Sequence, residues 1–270
     1  MSITFSSCFY IINSKFPPEK YIEWMNNFIT IVNNFNLVIY TDENTLKYID
    51  LKNNSKIKII IKPFNKFYNY KYKDFWIKNH EINFMLNDKS CWELNMLWAE
   101  KINFVKETIE RKYFDTDFYG WCDIGYFRNR TGEYNDTNIN KLMNWPDINK
   151  INNLPKNKIV YACINNNDIY MNNLIRYIKN KNKNGLPAIP IPPTQNSIAG
   201  GFFILYKTMI DWWFMTFDNT LFNYFNNNYL VKDDQVILVD CIFNNIEIFS
   251  LFREYDPQFD NWFMFQRIFN

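Results

Sequence analysis

Three short runs rich in β-branched and aromatic residues, 3–12, 37–40 and 57–61, alternate with segments of helical character. After the first run, Pro17-Pro18-Glu19 opens a helix, since proline is tolerated in a first turn. Tyr21, Ile22, Trp24, Met25, Phe28, Ile29 and Val32 then recur at helical spacing. A shorter helix is expected near 45–49, before the third run. Strand, helix, strand, helix, strand leaves little freedom, because parallel neighbours need crossover connections and helices are the usual ones. The pattern predicts an α/β fold that is Rossmann-like, with a mostly parallel central sheet and helices on both faces.

Further along, 62–78 mixes five lysines with seven aromatic residues and has no clean period. It reads either as an amphipathic surface segment with snorkelling lysines or as an irregular cover offering aromatic faces to a sugar or base. Residues 92–112 read as one long helix, 118–123 as a strand and 129–157 as a polar stretch with few elements. Expected next are a strand at 159–163, a helix at 172–181, a proline-containing loop at 184–197 and a strand at 198–206. Helices at 208–225 and 233–243 complete the series. No repeat or linker interrupts the chain, so 1–270 reads as one domain.

Composition narrows the function. The chain is 47% hydrophobic and 20% aromatic, ample for a packed core. Its 30 basic and 28 acidic residues give a net charge of +2, so nucleic acid is not the expected partner. A single histidine, His80, excludes a His-rich zinc site. Five scattered cysteines without a CxxC pair read as free thiols in a reducing, cytoplasmic setting, the host's cytoplasm if the chain is viral. The N-terminus lacks the basic and small-residue features of a secretory signal, and no run is long and apolar enough to span a membrane.

Glycine is scarce, and four of the six fall in two short motifs. Neither motif is the dinucleotide fingerprint or the P-loop. In Phe118-Tyr119-Gly120-Trp121-Cys122-Asp123-Ile124-Gly125, an apolar strand ends at a carboxylate. Ligands of open parallel sheets bind outside the carboxyl ends of the strands, which puts Asp123 where a metal or sugar hydroxyl is held. As a plain turn residue it would instead cap its own backbone. Asp115-Thr116-Asp117 spells a literal DxD, but it precedes the strand and so belongs to the opposite edge.

The second motif, Ser197-Ile198-Ala199-Gly200-Gly201-Phe202-Phe203, lets a sugar pack on bare backbone. A third, Lys232-Asp233-Asp234-Gln235, precedes an apolar run. Its carboxylates either favour a helix N-terminus or serve as a base near a reacting carbon. On the helix around Glu93 to Val105, Lys101 shares a face with Leu94, Leu97, Trp98 and Val105. It is either a snorkelling lysine or a cation aimed at a diphosphate.

Taken together, these residues resemble a nucleotide-sugar glycosyltransferase of the GT-A kind. More closely, they are similar to the HtrL/YibB family of bacterial and viral glycosyltransferases. The matching residues are the E-x-N-x-x-W-x-x-x-K helix (Glu93, Asn95, Trp98, Lys101), W-C-D-I-G (Trp121, Asp123, Gly125) with Arg128 after it, the AGGFF run, and the DDQ of Asp233, Asp234 and Gln235. The resemblance spans residues 3–248.

It implies a GT-A-like fold and transfer of a sugar from a nucleoside-diphosphate donor, UDP-linked, to a hydroxyl of a glycan acceptor. It assigns donor binding to Lys101, Asn95, Asp123, Gly125, Arg128, Gly200, Gly201 and Gln235, and catalysis to Asp234 and Asp233. It also implies Mn²⁺ or Mg²⁺ at Asp123, where the family-type D-x-D is reduced to D-x-G. Two alternatives stay open: an inactive GT-A-fold module that binds a glycan or protein, and a metal-dependent nucleotidyltransferase using Asp123, Asp233 and Asp234.

Overall fold

The computed structural model describes residues 3–128 and 138–270. Seven strands form one sheet: β1 (Ile3–Cys8), β2 (Phe35–Thr41), β3 (Ile57–Ile61), β4 (Phe118–Cys122), β5 (Ile159–Cys163), β6 (Ile198–Tyr206) and β7 (Phe249–Phe252). The helices are α1 (Pro18–Thr30), α2 (Glu43–Leu46), α3 (Lys73–Ile82), α4 (Trp92–Ala99), α5 (Lys101–Glu110), α6 (Ile148–Asn152), α7 (Asp168–Lys179), α8 (Ile210–Asn226), α9 (Asp234–Asn244) and α10 (Phe265–Ile268).

The strand order is β3-β2-β1-β4-β6-β5-β7. Every pair is parallel except the two made by β6, which runs against both β4 and β5. This is the mostly parallel, Rossmann-like α/β sheet that the strand–helix alternation predicts. Period-two alternation puts Val38, Tyr40, Tyr119 and Trp121 into one core and Leu37, Ile39, Phe118 and Cys122 into the other. One core is closed by α3, α4, α5, α7, α8 and α9, the other by α1, α6 and the C-terminal segment.

Several boundaries move. The strand expected over 3–12 ends at Cys8, because its partner β2 ends at Thr41 and only Phe9 pairs with it further, donating to the Tyr40 carbonyl (2.9 Å) and accepting from the Thr41 hydroxyl (2.7 Å). The chain then turns over the sheet edge. The helix expected over 92–112 is interrupted at Glu100. That carboxylate is buried and accepts from the backbone N–H of Tyr68 (2.7 Å) and Asn69 (3.0 Å) and from the Asn103 amide (2.7 Å). Lys62 lies 3.6 Å from it.

The lysine- and aromatic-rich segment is therefore docked: two 3₁₀ turns lead into α3. Tyr68, Lys71 and Tyr72 all donate to Asp218 of α8, and Phe75 stacks on Phe225. α7 starts at Asp168 rather than 172, because Asn167 caps it by accepting from the Tyr170 N–H (3.0 Å). Neither β7 nor α10 carries a strong sequence pattern; they are fixed by pairing with β5 and by Phe265 packing on Phe202 and Phe269. Of the polar stretch 129–157, residues 129–137 lie outside the described residues; the rest holds a 3₁₀ turn and α6. No helix among the described residues is long and apolar enough to cross a membrane.

Candidate active site

From β1 the chain crosses to β2 on one side, whereas β4 pairs on the other side of β1. That reversal makes β1/β4 the topological switch point, and its carboxyl edge is where open α/β sheets bind ligands. A cavity of about 430 Å³ opens there. The end of β1 (Cys8), the end of β4 (Asp123), the start of β6 (Gly200, Gly201) and the start of α9 (Asp233, Asp234, Gln235) all line it. Because β6 runs backwards, its N-terminal glycines reach the same edge as the C-terminal end of β4. A parallel β6 would have carried them to the far side.

Asp123 extends the β4 ladder by one residue, its N–H donating to the Gly201 carbonyl (2.9 Å). Its carbonyl accepts from the Tyr126 N–H (2.8 Å), which closes a turn around Ile124-Gly125. The side chain is 42% exposed. The Trp121 indole N–H donates to Oδ1 (2.6 Å), and Lys101 Nζ lies 3.3 Å from the same oxygen. Asp123 thus faces the cavity rather than capping its own turn.

Asp234, the first residue of α9, is nearly buried and lies 3.1 Å from Lys101 Nζ through Oδ2. Burial lifts its pKa to about 6, with Lys101 pulling the other way and Asp233 adding to the rise. Lys101, the first residue of α5, also donates to the Gly200 carbonyl (2.9 Å). Burial opposes its charge, but Asp123 and Asp234 more than offset that, and its pKa is raised.

The glycine pair makes room for these carboxylates. A Cβ on Gly200 would lie 2.9 Å from Asp234 Oδ2, and one on Gly201 would lie 3.0 Å from Asp123 Oδ2. Gly125 clears a different neighbour, since its Cβ would lie 2.8 Å from the Trp24 ring. The Gln235 amide donates to the Ile198 carbonyl and ties α9 to β6. Asp233 makes no side-chain cap for α9. Its Oδ2 meets Lys232 (3.0 Å), while Oδ1 is buried without a hydrogen-bond partner.

Arg128 lies on the cavity wall with its guanidinium carbon 4.5 Å from the Trp24 ring centre, 5.2 Å from Phe263 and 5.7 Å from Phe16. Asn95 is not brought to the cavity. It is buried in α4, and both amide atoms lack a hydrogen-bond partner. Asp117 sits at the opposite sheet edge, paired with Lys207 (2.8 Å) at the far end of β6.

Sequence reasoning passed over Cys8, Lys15, Phe16 and Phe263, all cavity residues. Lys15 and Phe16 lie on the segment that leads from β1 to α1, so the carboxyl-edge rule applied to β1 as well as β4 points to that segment. Phe263 is brought in by tertiary packing alone. Burial and then Asp123 push the Cys8 thiol pKa up, with Lys101 acting against the rise, which disfavours the thiolate. Among the described residues, no group of three or more His, Cys, Asp or Glu side chains is placed to hold a metal. No family model matches the chain, and no curated protein matches it.

Proposed function

We propose that this cavity binds a nucleoside-diphosphate sugar, UDP-linked, and transfers the sugar to a hydroxyl of a glycan acceptor. The observation that carries the reading is the meeting of Asp123, Lys101 and Asp234 from three separate elements in one cavity at the switch point. The order and spacing of the motifs that resemble the GT-A and HtrL/YibB pattern support it as well. Lys15 and Arg128 supply positive charge on the same walls, and Trp98, Phe16 and Phe263 supply ring faces for a base or sugar.

In the reaction, the acceptor oxygen attacks the anomeric carbon, and the bond from that carbon to the phosphate oxygen breaks. The nucleoside diphosphate leaves with the electron pair. Asp234 takes the hydroxyl proton; with a pKa of about 6 it is ionised at neutral pH yet basic enough to accept one. Lys15 and Arg128 face the growing charge on the leaving diphosphate. Asp233 lies beside Asp234 on the same wall, and its charge adds to the rise that keeps Asp234 basic. The cytoplasm is the proposed setting, where the five free thiols stay reduced.

The nucleotidyltransferase alternative needs metal held among Asp123, Asp233 and Asp234, and the Lys101 ammonium standing between two of them counts against it. A thermal-shift screen of nucleotide sugars tests the reading, because a ligand bound only by the native state raises Tm. A UDP-sugar should raise it and a nucleoside triphosphate should not. A response to neither class contradicts the assignment.

A further inference from the structure

We infer that Lys101 is the resident cation of this site, standing where a divalent metal would bridge the carboxylates, so that the cavity binds its diphosphate ligand without metal. The second half rests on the nucleotide-sugar reading; the first rests on geometry alone.

An ammonium has three N–H donors. Lys101 meets three acceptors: Asp123 Oδ1 at 3.3 Å, Asp234 Oδ2 at 3.1 Å and the Gly200 carbonyl at 2.9 Å. Its side chain is only 10% exposed, so water does not compete for those donors. The partners are themselves fixed. Asp123 Oδ1 also accepts from Trp121, and each carboxylate is seated over a glycine that leaves no space for a Cβ.

Charge points the same way. Asp233 is paired with Lys232, and Lys101 is shared by Asp123 and Asp234. One net negative charge is left among these five groups. A divalent ion wants about six oxygen ligands at roughly 2.0–2.6 Å. Here it would have to displace a buried ammonium that already holds both carboxylates and the Gly200 carbonyl. The residues present therefore fit a lysine and do not fit Mn²⁺ or Mg²⁺. Lys101 is a positioning residue: it sets the two carboxylates against each other, and the phosphates are left to Lys15 and Arg128.

The test begins with Mn²⁺ alone, titrated into the wild-type protein and followed by the electron paramagnetic resonance signal of the free ion. No stoichiometric binding is expected. UDP affinity is then measured by calorimetry in EDTA and in Mn²⁺, and should agree within about twofold. In Lys101→Met, checked for folding by circular dichroism, the carboxylates lose their bridge, and Mn²⁺ binding should appear. One Mn²⁺ held by the wild type and lost in Asp123→Asn overturns the inference. So does UDP affinity that falls tenfold or more in EDTA and returns with Mn²⁺. If UDP fails to bind in either buffer, the donor assignment fails instead, and the Mn²⁺ titration of the wild type still decides the cation question. That titration needs no variant to fold.

Discussion

At Asp234, a nearly buried carboxylate beside an ammonium has two opposed pulls on its proton, and burial wins. Its pKa of about 6 makes two predictions with definite signs. Turnover should rise with pH through about 6, as the base ionises. Stability should move the other way over the window from the ordinary value of 3.8 to about 6. There the folded state holds a proton that the unfolded chain has lost, so raising the pH through this window costs stability and raising it further does not. In Lys101→Met the acid limb of the rate profile should move upward, because the group that pulls the Asp234 pKa down is gone. A limb that stays at the same pH would assign it to another residue.

The glycines make a matched set at the same scale. Gly200→Ala and Gly201→Ala each press on the end of one carboxylate side chain rather than on backbone, so the strain is relieved by shifting that carboxylate off its Lys101 contact. Tm should change little while turnover falls in the first and nucleotide affinity falls in the second. Gly120→Ala is the contrast, since its Cβ would lie 2.3 Å from the backbone oxygen of Phe203. That neighbour is in the sheet and cannot move, so a loss of about 1–3 kcal/mol in denaturant unfolding is expected. Equal stability losses in all three would show that the first pair is structural.

Among the elements, the α4/α5 junction carries the most consequence. Glu100 is fully buried and receives two backbone N–H groups from the turn at Tyr68 and Asn69. Burial raises its pKa, with Lys62 and those N–H groups acting against the rise. Removing the carboxylate leaves the two backbone amides without their acceptor, while Lys62 keeps Glu107 as its closer partner. Glu100→Ala should therefore cost about 2–5 kcal/mol in chemical denaturation, as two buried donors are left unpaired. It should also open 62–72 to limited proteolysis before the sheet unfolds. A loss below about 1 kcal/mol would contradict this role.

The interruption was not legible in sequence. Trp92 to Lys112 has helical periodicity throughout, and only long-range bonds from Asn69 and Tyr68 reveal that Glu100 turns inward. Strands Ile57–Ile61, Ile159–Cys163 and Ile198–Tyr206 were legible, because each is a dense apolar run bounded by polar residues. The direction of β6 was not. A strand buried on both faces has the same composition in either orientation, and the reversal depends on which neighbours it pairs with.

For the whole molecule, that reversal is what gathers the site. It brings the β6 glycines to the carboxyl edge of β4, and after α8 the chain returns to set the start of α9 against them. Asp123, Asp234, Lys101, Gly200, Gly201 and Gln235 were singled out by four separate motifs, and the structure puts all six at one cavity. Asn95 was singled out on the same grounds and is buried elsewhere. Its helical spacing from Trp98 and Lys101 says nothing about which of the three faces the ligand. Lys15 and Phe16 carry no motif and were legible only by position, on the segment leaving the carboxyl edge of β1, whereas Phe263 was invisible because a C-terminal turn carries no pattern that marks what it will face.

Under the proposed function, Asp234 moves a proton in sugar transfer from a nucleoside diphosphate held in this cavity. The most direct measurement is nucleoside-diphosphate release from the best-binding UDP-sugar, alongside its affinity by calorimetry, for wild type and Asp234→Asn. Turnover in the variant should fall by roughly 10²-fold or more while affinity stays within about threefold. Release at the wild-type rate by Asp234→Asn, or no release by the wild type from any nucleotide sugar that it binds, would contradict the claim.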